Sequence, residues 1–250
     1  MPRFYIISDI HGFYDELRKA LDDAGFDENN EDHWLIGAGD YLDRGRQPQE
    51  VINYLQSLPR KILIKGNHEK LILECLKRGW PESYDFHNGT FQTILDLAPH
   101  AMDFDEACNE AYYKVKKFIN SMVNYVELKE HIIVHSFIPL VKLDNLPKYY
   151  TKNRKYDKMG DWRNATEEEW DEARWGNPFQ LADMGMLPDK TLVFGHWSVE
   201  HKCAQDEGRE EFDENAKFEP YYGNGYIGLD CTTAYSKKCG IVVIEDEFIN

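Results

Sequence analysis

Between Phe4 and Leu76 the chain repeats one pattern three times: a short apolar run, a polar cluster, then apolar residues at helical spacing. Phe4 to Ser8 leads into Leu17, Ala20, Leu21 and Ala24. His33 to Ala38 stops at Gly39-Asp40 and leads, through Pro48, into Val51, Ile52, Leu55 and Leu58. Lys61 to Lys65 stops at Gly66-Asn67-His68 and leads into Leu71, Ile72, Cys75 and Leu76. Strands alternating with helices in this way predict parallel βαβ units, an α/β fold whose ligands sit beyond the carboxyl ends of the strands. The polar clusters fall at those ends.

After Leu76 the pattern loosens. The spacing weakens from Trp80 to Pro99, and Phe104 to Asn120 predicts a helix whose charges form a solvated face. Tyr125 to Leu128 and His131 to Val134 predict a hairpin turning at Lys129-Glu130. Thr191 to Phe194 predicts a strand, and Tyr226 to Leu229 with Gly240 to Ile244 predict two paired strands turning at Lys237-Lys238. Residues 145–188 show no period and predict surface loops with short helices. One hydrophobic core can organise 250 residues, so the expectation is a single domain over 1–250, with a cap or insertion within 80–125 and 145–190.

Five predicted strand ends each deliver a residue able to bind a metal: Asp9 with His11, Asp40, Asn67, His135 and His196. One such residue after a strand signifies little, whereas five at the same kind of position point to a shared site. Carboxylate, imidazole and amide oxygen suit a divalent ion such as Mn²⁺, Fe²⁺ or Zn²⁺, and no thiolate in the set selects a softer one. Two ions are expected. The five cysteines, Cys75, Cys108, Cys203, Cys231 and Cys239, contain no C-x-x-C pair and fit reduced thiols. His33, His87, His100, His131 and His201 lie outside the pattern and are expected at the surface or in hydrogen bonds.

Ser8-Asp9-Ile10-His11-Gly12, Gly39-Asp40-Tyr41-Leu42-Asp43-Arg44-Gly45 and Gly66-Asn67-His68-Glu69 resemble, in that order, the three signature blocks of the phosphoprotein phosphatase branch of the calcineurin-like metallophosphoesterases. His135-Ser136 and Gly195-His196 extend the resemblance more weakly to about residue 200. It implies a sandwich of mixed sheets flanked by helices. It also implies one metal on Asp9, His11 and Asp40 and a second on Asp40, Asn67, His135 and His196, most often manganese. A carboxylate such as Asp40 can bridge cations ~3.5–4 Å apart, and such a pair can hold a hydroxide that attacks phosphorus.

The remaining roles follow the same resemblance. Arg44 presents a planar fork of donors suited to two phosphate oxygens. His68 can give a proton to the leaving oxygen, with Asp43 fixing its tautomer. Arg174 is the candidate for a second phosphate-binding arginine, with Arg163 competing. Ser8 and Ser136 stand where the family often has glycine, and Ser198 stands where other branches carry a second histidine after Gly-His. Gly228 to Thr233 resembles the strand that runs under the metal site and shapes the pocket. Tyr149, Tyr150, Trp162, Trp170, Trp175, Tyr221 and Tyr222 suit loop packing first and a substrate groove second.

The leading expectation is therefore a phosphomonoesterase acting on phosphoprotein Ser/Thr, and also Tyr. The alternative is a symmetrical dinucleoside tetraphosphate hydrolase. A metal-bound interaction module without turnover comes third, since it predicts a lost ligand, His68 or Arg44, and all are present. With 29 Lys+Arg against 45 Asp+Glu, a formal charge of −16 argues against wrapping duplex DNA or lying on an anionic membrane. Apolar runs such as Phe137 to Val141 are far too short to span a bilayer. Asp9 and His11 interrupt Phe4 to Ile7 before a signal-peptide core can form, so a cytoplasmic protein is expected.

Overall fold

Along β1 (Arg3–Ser8), Phe4 and Ile6 face one way and Tyr5 and Ile7 the other, and all four are buried. A strand apolar on both faces needs a layer on each side. The computed structural model, which describes residues 1–143 and 155–249, supplies those layers.

From β1 the chain continues through α1 (Tyr14–Asp23), β2 (His33–Gly37), α2 (Pro48–Ser57), β3 (Lys61–Leu63) and α3 (Asn67–Arg78). Then follow α4 (Ser83–Asn88), α5 (Thr90–Leu97), α6 (Phe104–Ile119), β4 (Tyr125–Glu127), β5 (His131–Val134), β6 (Leu140–Lys142) and β7 (Tyr156–Lys158). The last part contains α7 (Glu167–Ala173), α8 (Pro178–Asp183), β8 (Thr191–Phe194), α9 (Val199–Glu207), β9 (Tyr221–Gly223), β10 (Tyr226–Gly228), α10 (Thr233–Ser236) and β11 (Gly240–Glu245).

The first sheet has the order β11-β1-β2-β3, with β1, β2 and β3 parallel and β11 antiparallel at the edge. The second has the order β4-β5-β8-β10-β9, with β5, β8 and β10 parallel between antiparallel edges. A separate ribbon joins β6 and β7. Phe4, Ile6, Ile36, Ile133, Val193 and Ile227 pack between the two sheets. Their neighbours one residue along face outward: Tyr5 and Leu35 meet Leu17, Val51, Leu55 and Ile72 of the helices, while Ile132, Leu192 and Phe194 meet Trp162, Trp170 and Phe179. Each fully buried side chain of this size contributes about 1.5–3 kcal/mol. The result is the expected α/β sandwich of mixed sheets flanked by helices.

Two details differ from the sequence expectation. Tyr226 to Leu229 and Gly240 to Ile244 do not pair: β10 lies between β8 and β9 in the second sheet, and β11 pairs with β1 in the first. The link through α10 passes from one sheet to the other, because the alternating pattern requires a neighbour without specifying its sheet. The helix expected over Phe104 to Asn120 buries a full face, Ala107, Ala111, Val115 and Phe118, against α3 and α5. Its start is held by Asp103, whose carboxylate accepts from the Glu106 N–H at 2.9 Å.

Trp162 and Trp170 pack in the outer core, while Tyr149 and Tyr150 lie outside the described residues. No helix among the described residues is long and apolar enough to cross a membrane.

Candidate active site

Parallel strands of both sheets end at the same edge of the sandwich. β1 leads to Asp9 and His11, β2 to Asp40, and β3 to Asn67 and His68 at the start of α3, while β5, β8 and β10 lead to His135, His196 and Asp230. To turn side chains back over the strand ends, the backbone takes left-handed φ values at Asp9 (51°), His11 (51°), Asp40 (56°), Asp43 (70°), Arg44 (65°) and His196 (69°). Such conformations cost about 1–3 kcal/mol each and must be held from outside.

The holding groups are visible. The Asp9, His11 and Gly12 N–H groups donate to the carbonyls of Gly39, Asp40 and Tyr41 at 3.2, 2.9 and 2.8 Å, knitting the first two loops together. Glu69, buried one turn into α3, accepts from the N–H groups of Asp40 (2.9 Å), Tyr41 (3.0 Å) and Gly66 (2.8 Å) and so joins the second loop to the third. Across the sandwich, the His196 N–H donates to Asp9 Oδ2 at 2.9 Å. Ser8 also donates to Asp9 Oδ2 through its hydroxyl.

The ligand atoms converge. His11 Nε2 lies 3.7 Å from Asp40 Oδ2 and 3.9 Å from Asp9 Oδ1. His135 Nε2 lies 3.4 Å from Asp40 Oδ1 and 2.8 Å from Asn67 Oδ1. Asp40, His135 and His196 offer ligand atoms within 4.8 Å of one another, as do His11, Asp40 and His68. All six residues expected to hold metal are thus brought together, with Asp40 between the two halves.

Their protonation suits a cation. Burial lowers His11 well below its usual range, helped by Arg44 and His68, and it also lowers His135. His196 falls to about 3, through burial and then His135. His11 Nδ1 donates to the Leu42 carbonyl (3.0 Å) and His135 Nδ1 to the Ala38 carbonyl (2.8 Å), so each neutral ring aims its Nε2 lone pair inward. His135 Nε2 therefore faces Asn67 Oδ1 and Asp40 Oδ1 with acceptors only, an arrangement that a metal ion would satisfy.

The carboxylates point the same way. Burial, then the like charges of Asp230 and Asp40, pushes Asp9 well above the usual carboxylate range, and Asp230 is pushed up to about 6, chiefly by burial. Burial opposes charge on Asp40 too, but the surrounding imidazoles, His135 foremost, hold it below its usual range. The residues fit two divalent ions, which would supply an acidified water and positive charge against phosphoryl oxygens.

A cavity of about 200 Å³ opens over these groups, lined also by Arg44, His68, Leu71, Asn88 and Trp175. His68 Nδ1 donates to Asp43 Oδ2 at 2.7 Å, and the same oxygen accepts from Thr90 Oγ1 at 2.7 Å. Burial alone would lower His68, but Asp40 and Asp43 together outweigh it and raise it. Arg44 donates through Nη1 to His11 Nε2 (2.8 Å), and its Nη2 lies 3.3 Å from His68 Nε2.

The other arginines are placed elsewhere. Arg174 is buried, donates to Asn124 (2.5 Å), Glu167 (3.1 Å) and Asp171 (3.4 Å), and does not line this cavity. Arg163 forks onto Glu127 with two 2.6 Å bonds and covers the Trp162 ring. Of the expected aromatic groove, only Trp175 lines the cavity among the described residues.

Sequence reasoning missed Glu69, Thr90 and Asn88, and gave Asp230 only a general part in the pocket. Asp230 carried a usable signal, as a further acid at a strand end. Glu69 stood inside a quoted block with no role attached. Nothing local marks Thr90 or Asn88.

Several known proteins are similar to this chain. A symmetrical bis(5'-nucleosyl)-tetraphosphatase of Buchnera aphidicola is 41% identical over 66 residues, 26% of this chain and 23% of that protein. Its counterpart in Nitrosospira multiformis is 32% identical over 123 residues, 49% of this chain and 41% of that protein. The chain thus spans less than half the length of these curated relatives. The cold-active protein-tyrosine phosphatase of a psychrophilic Shewanella superposes with a TM-score of 0.55 at 14% identity, over 98% of this chain and 76% of that one, a likeness of fold. Residues 2–227 match the family model described as calcineurin-like phosphoesterase. With two sheets meeting at one edge lined by Asp, His and Asn, the chain belongs to the calcineurin-like phosphoesterase family.

Proposed function

We propose that this protein hydrolyses dinucleoside tetraphosphates symmetrically, releasing two nucleoside diphosphates, with two divalent ions, Mn²⁺ by preference, as cofactors. The observation that carries the chemistry is the convergence of two ligand groups, a guanidinium and an imidazole–carboxylate pair on one cavity. The substrate class is supported by the relatives, which bear the tetraphosphatase name. This reverses the order expected from sequence, where phosphoprotein came first, because the curated relatives described above are named tetraphosphatases.

In this reading Asp9, His11 and Asp40 hold one ion, and Asp40, Asn67, His135 and His196 the other. Arg44 forks onto two phosphoryl oxygens. As water oxygen bonds to phosphorus, its proton passing to solvent, and the bridging P–O bond breaks, His68 gives its Nε2 proton to the departing oxygen. Asp43 holds the ring through Nδ1, and Thr90 holds Asp43.

The test is turnover by Mn²⁺-loaded protein on diadenosine tetraphosphate and on a phosphoserine peptide, with products separated by chromatography. A kcat/KM at least about tenfold higher on the dinucleotide, with ADP as sole nucleotide product, is expected. Preference for the peptide, or release of ATP and AMP, would overturn the assignment.

A further inference from the structure

Besides its candidate metal ligands and His68, the cavity presents Arg44, Leu71, Trp175 and Asn88. Among the described residues Arg44 is its only guanidinium, since Arg174 and Arg163 are engaged by carboxylates away from it. A transferring phosphoryl group carries three non-bridging oxygens, and one planar fork reaches two of them. A further donor is therefore useful on the same wall.

Asn88 is built to be that donor. Its side-chain amide makes no hydrogen bond among the described residues, although it lines the cavity with Arg44 and His68. Its backbone is locked to the Asp43-Arg44 turn by the two residues that follow. Gly89 has φ +85°, and a methyl there would overlap the Arg44 nitrogen and lie 2.8 Å from Arg44 Cα, so the chains touch. Thr90 Oγ1 donates to Asp43 Oδ2 at 2.7 Å. These contacts set the position of Asn88 relative to the guanidinium and the imidazole, while its amide stays uncommitted.

We infer that Asn88 is a substrate-contacting residue, donating its amide N–H to a phosphoryl oxygen beside Arg44. Any phosphoester or phosphoanhydride offering a phosphoryl group to this cavity would meet it. The inference rests on the cavity receiving phosphate, and not on which ester delivers it.

The experiment measures the affinity of inorganic phosphate for Mn²⁺-loaded protein by calorimetry, alongside melting temperature and metal content. Turnover of p-nitrophenyl phosphate is recorded in parallel. A hydrogen bond to a charged group predicts that Asn88→Ala weakens phosphate binding by roughly tenfold or more. Asn88→Asp, nearly isosteric, removes the donor and adds a repelling charge, so its loss is larger, on the order of a hundredfold. Metal content and melting stay at wild-type values. A structural role would give the opposite order, with Asp milder than Ala, and would lower the melting temperature.

Phosphate affinity within about twofold of wild type in both variants overturns the inference, as does that opposite order, or wild-type protein that binds no phosphate. A failure of diadenosine tetraphosphate hydrolysis with these phosphate results intact would remove the proposed substrate and leave Asn88 in place.

Discussion

Replacing His68 by Asn separates the two candidate substrate classes through the proton each leaving group needs. His68 is 4% exposed, with Nδ1 held by Asp43 at 2.7 Å and the ring lining the cavity. Asn retains a small polar side chain there but has no proton to transfer. A nucleoside diphosphate leaves through a phosphate oxygen that is protonated only near pH 6, so it departs at neutral pH almost unaided. Losing the acid should then lower kcat on a dinucleoside tetraphosphate by about tenfold. A seryl oxygen must leave as a strongly basic alkoxide, and there the loss should approach the upper range for general acids, about 10³–10⁴.

In free energy the two penalties are about 1.4 and about 4–5.5 kcal/mol, far enough apart to measure. The assay is kcat for wild type and His68→Asn on diadenosine tetraphosphate and on a phosphoserine peptide, at matched metal occupancy. Equal losses on both substrates would refute proton donation by His68. So would loss of one ion, because His68 also lies within ligand range of His11 and Asp40, and that result would make it a ligand.

Two further substitutions test the framework. A methyl at Gly195 would overlap Ser8 Oγ and Asp9 Oδ2, so Gly195→Ala should cost about 1–3 kcal/mol by overpacking and reduce metal content; unchanged melting with full metal would contradict the packing described. Glu200, 0% exposed, accepts from Arg209 Nη1 (2.5 Å) and Nη2 (2.9 Å) and from the N–H groups of Phe212 (3.1 Å) and Lys217 (2.7 Å). The Arg209 bonds foremost hold it at about 2 against an ordinary 4.5. As pH falls, the unfolded chain takes up this proton first, so the stabilisation is complete above 4.5 and lost as pH falls towards 2. Glu200→Gln should cost about 3 kcal/mol at pH 7, and the gap to wild type in urea melts should narrow from pH 5 to pH 3; a constant gap would show that the carboxylate charge contributes nothing.

Much of this architecture was legible because it is local. The β1, β2 and β3 units announce themselves by a change from strand to helical spacing, and their polar ends mark Asp9, Asp40 and Asn67. The partner of a strand is not local information: Gly240 to Ile244 reads as an apolar strand whichever sheet receives it, and it joins β1, more than two hundred residues away in sequence. Arg174 was ambiguous for the same reason, since its partners Asn124 and Glu167 are brought together only by the fold. Glu69 could be named inside its block, but its three bonds to the loops at Asp40, Tyr41 and Gly66 exist only when strands β2 and β3 are adjacent. Thr90 and Asn88 carry no signal at all, being an ordinary helix start and a helix end.

The site also explains why the fold uses two sheets where one would make a stable layer. The first sheet delivers Asp9, His11, Asp40, Asn67 and His68, and the second delivers His135, His196 and Asp230, so neither holds a complete ligand set. The two halves are joined at the edge itself: the Gly195 N–H donates to the His135 carbonyl within the second sheet, the His196 N–H reaches Asp9 in the first, and Thr233 Oγ1 donates to the Asp9 carbonyl at 2.9 Å. Asp40 then stands 3.4 Å from His135 across the divide. Strained backbone and crowded carboxylates at this edge are tolerated because the inner core of Phe4, Ile6, Ile36, Ile133 and Val193 keeps the sheets together behind it. A cation at Asp40 would bind the two sheets to each other as well as to itself, which makes metal affinity a readout of how well the sandwich is closed.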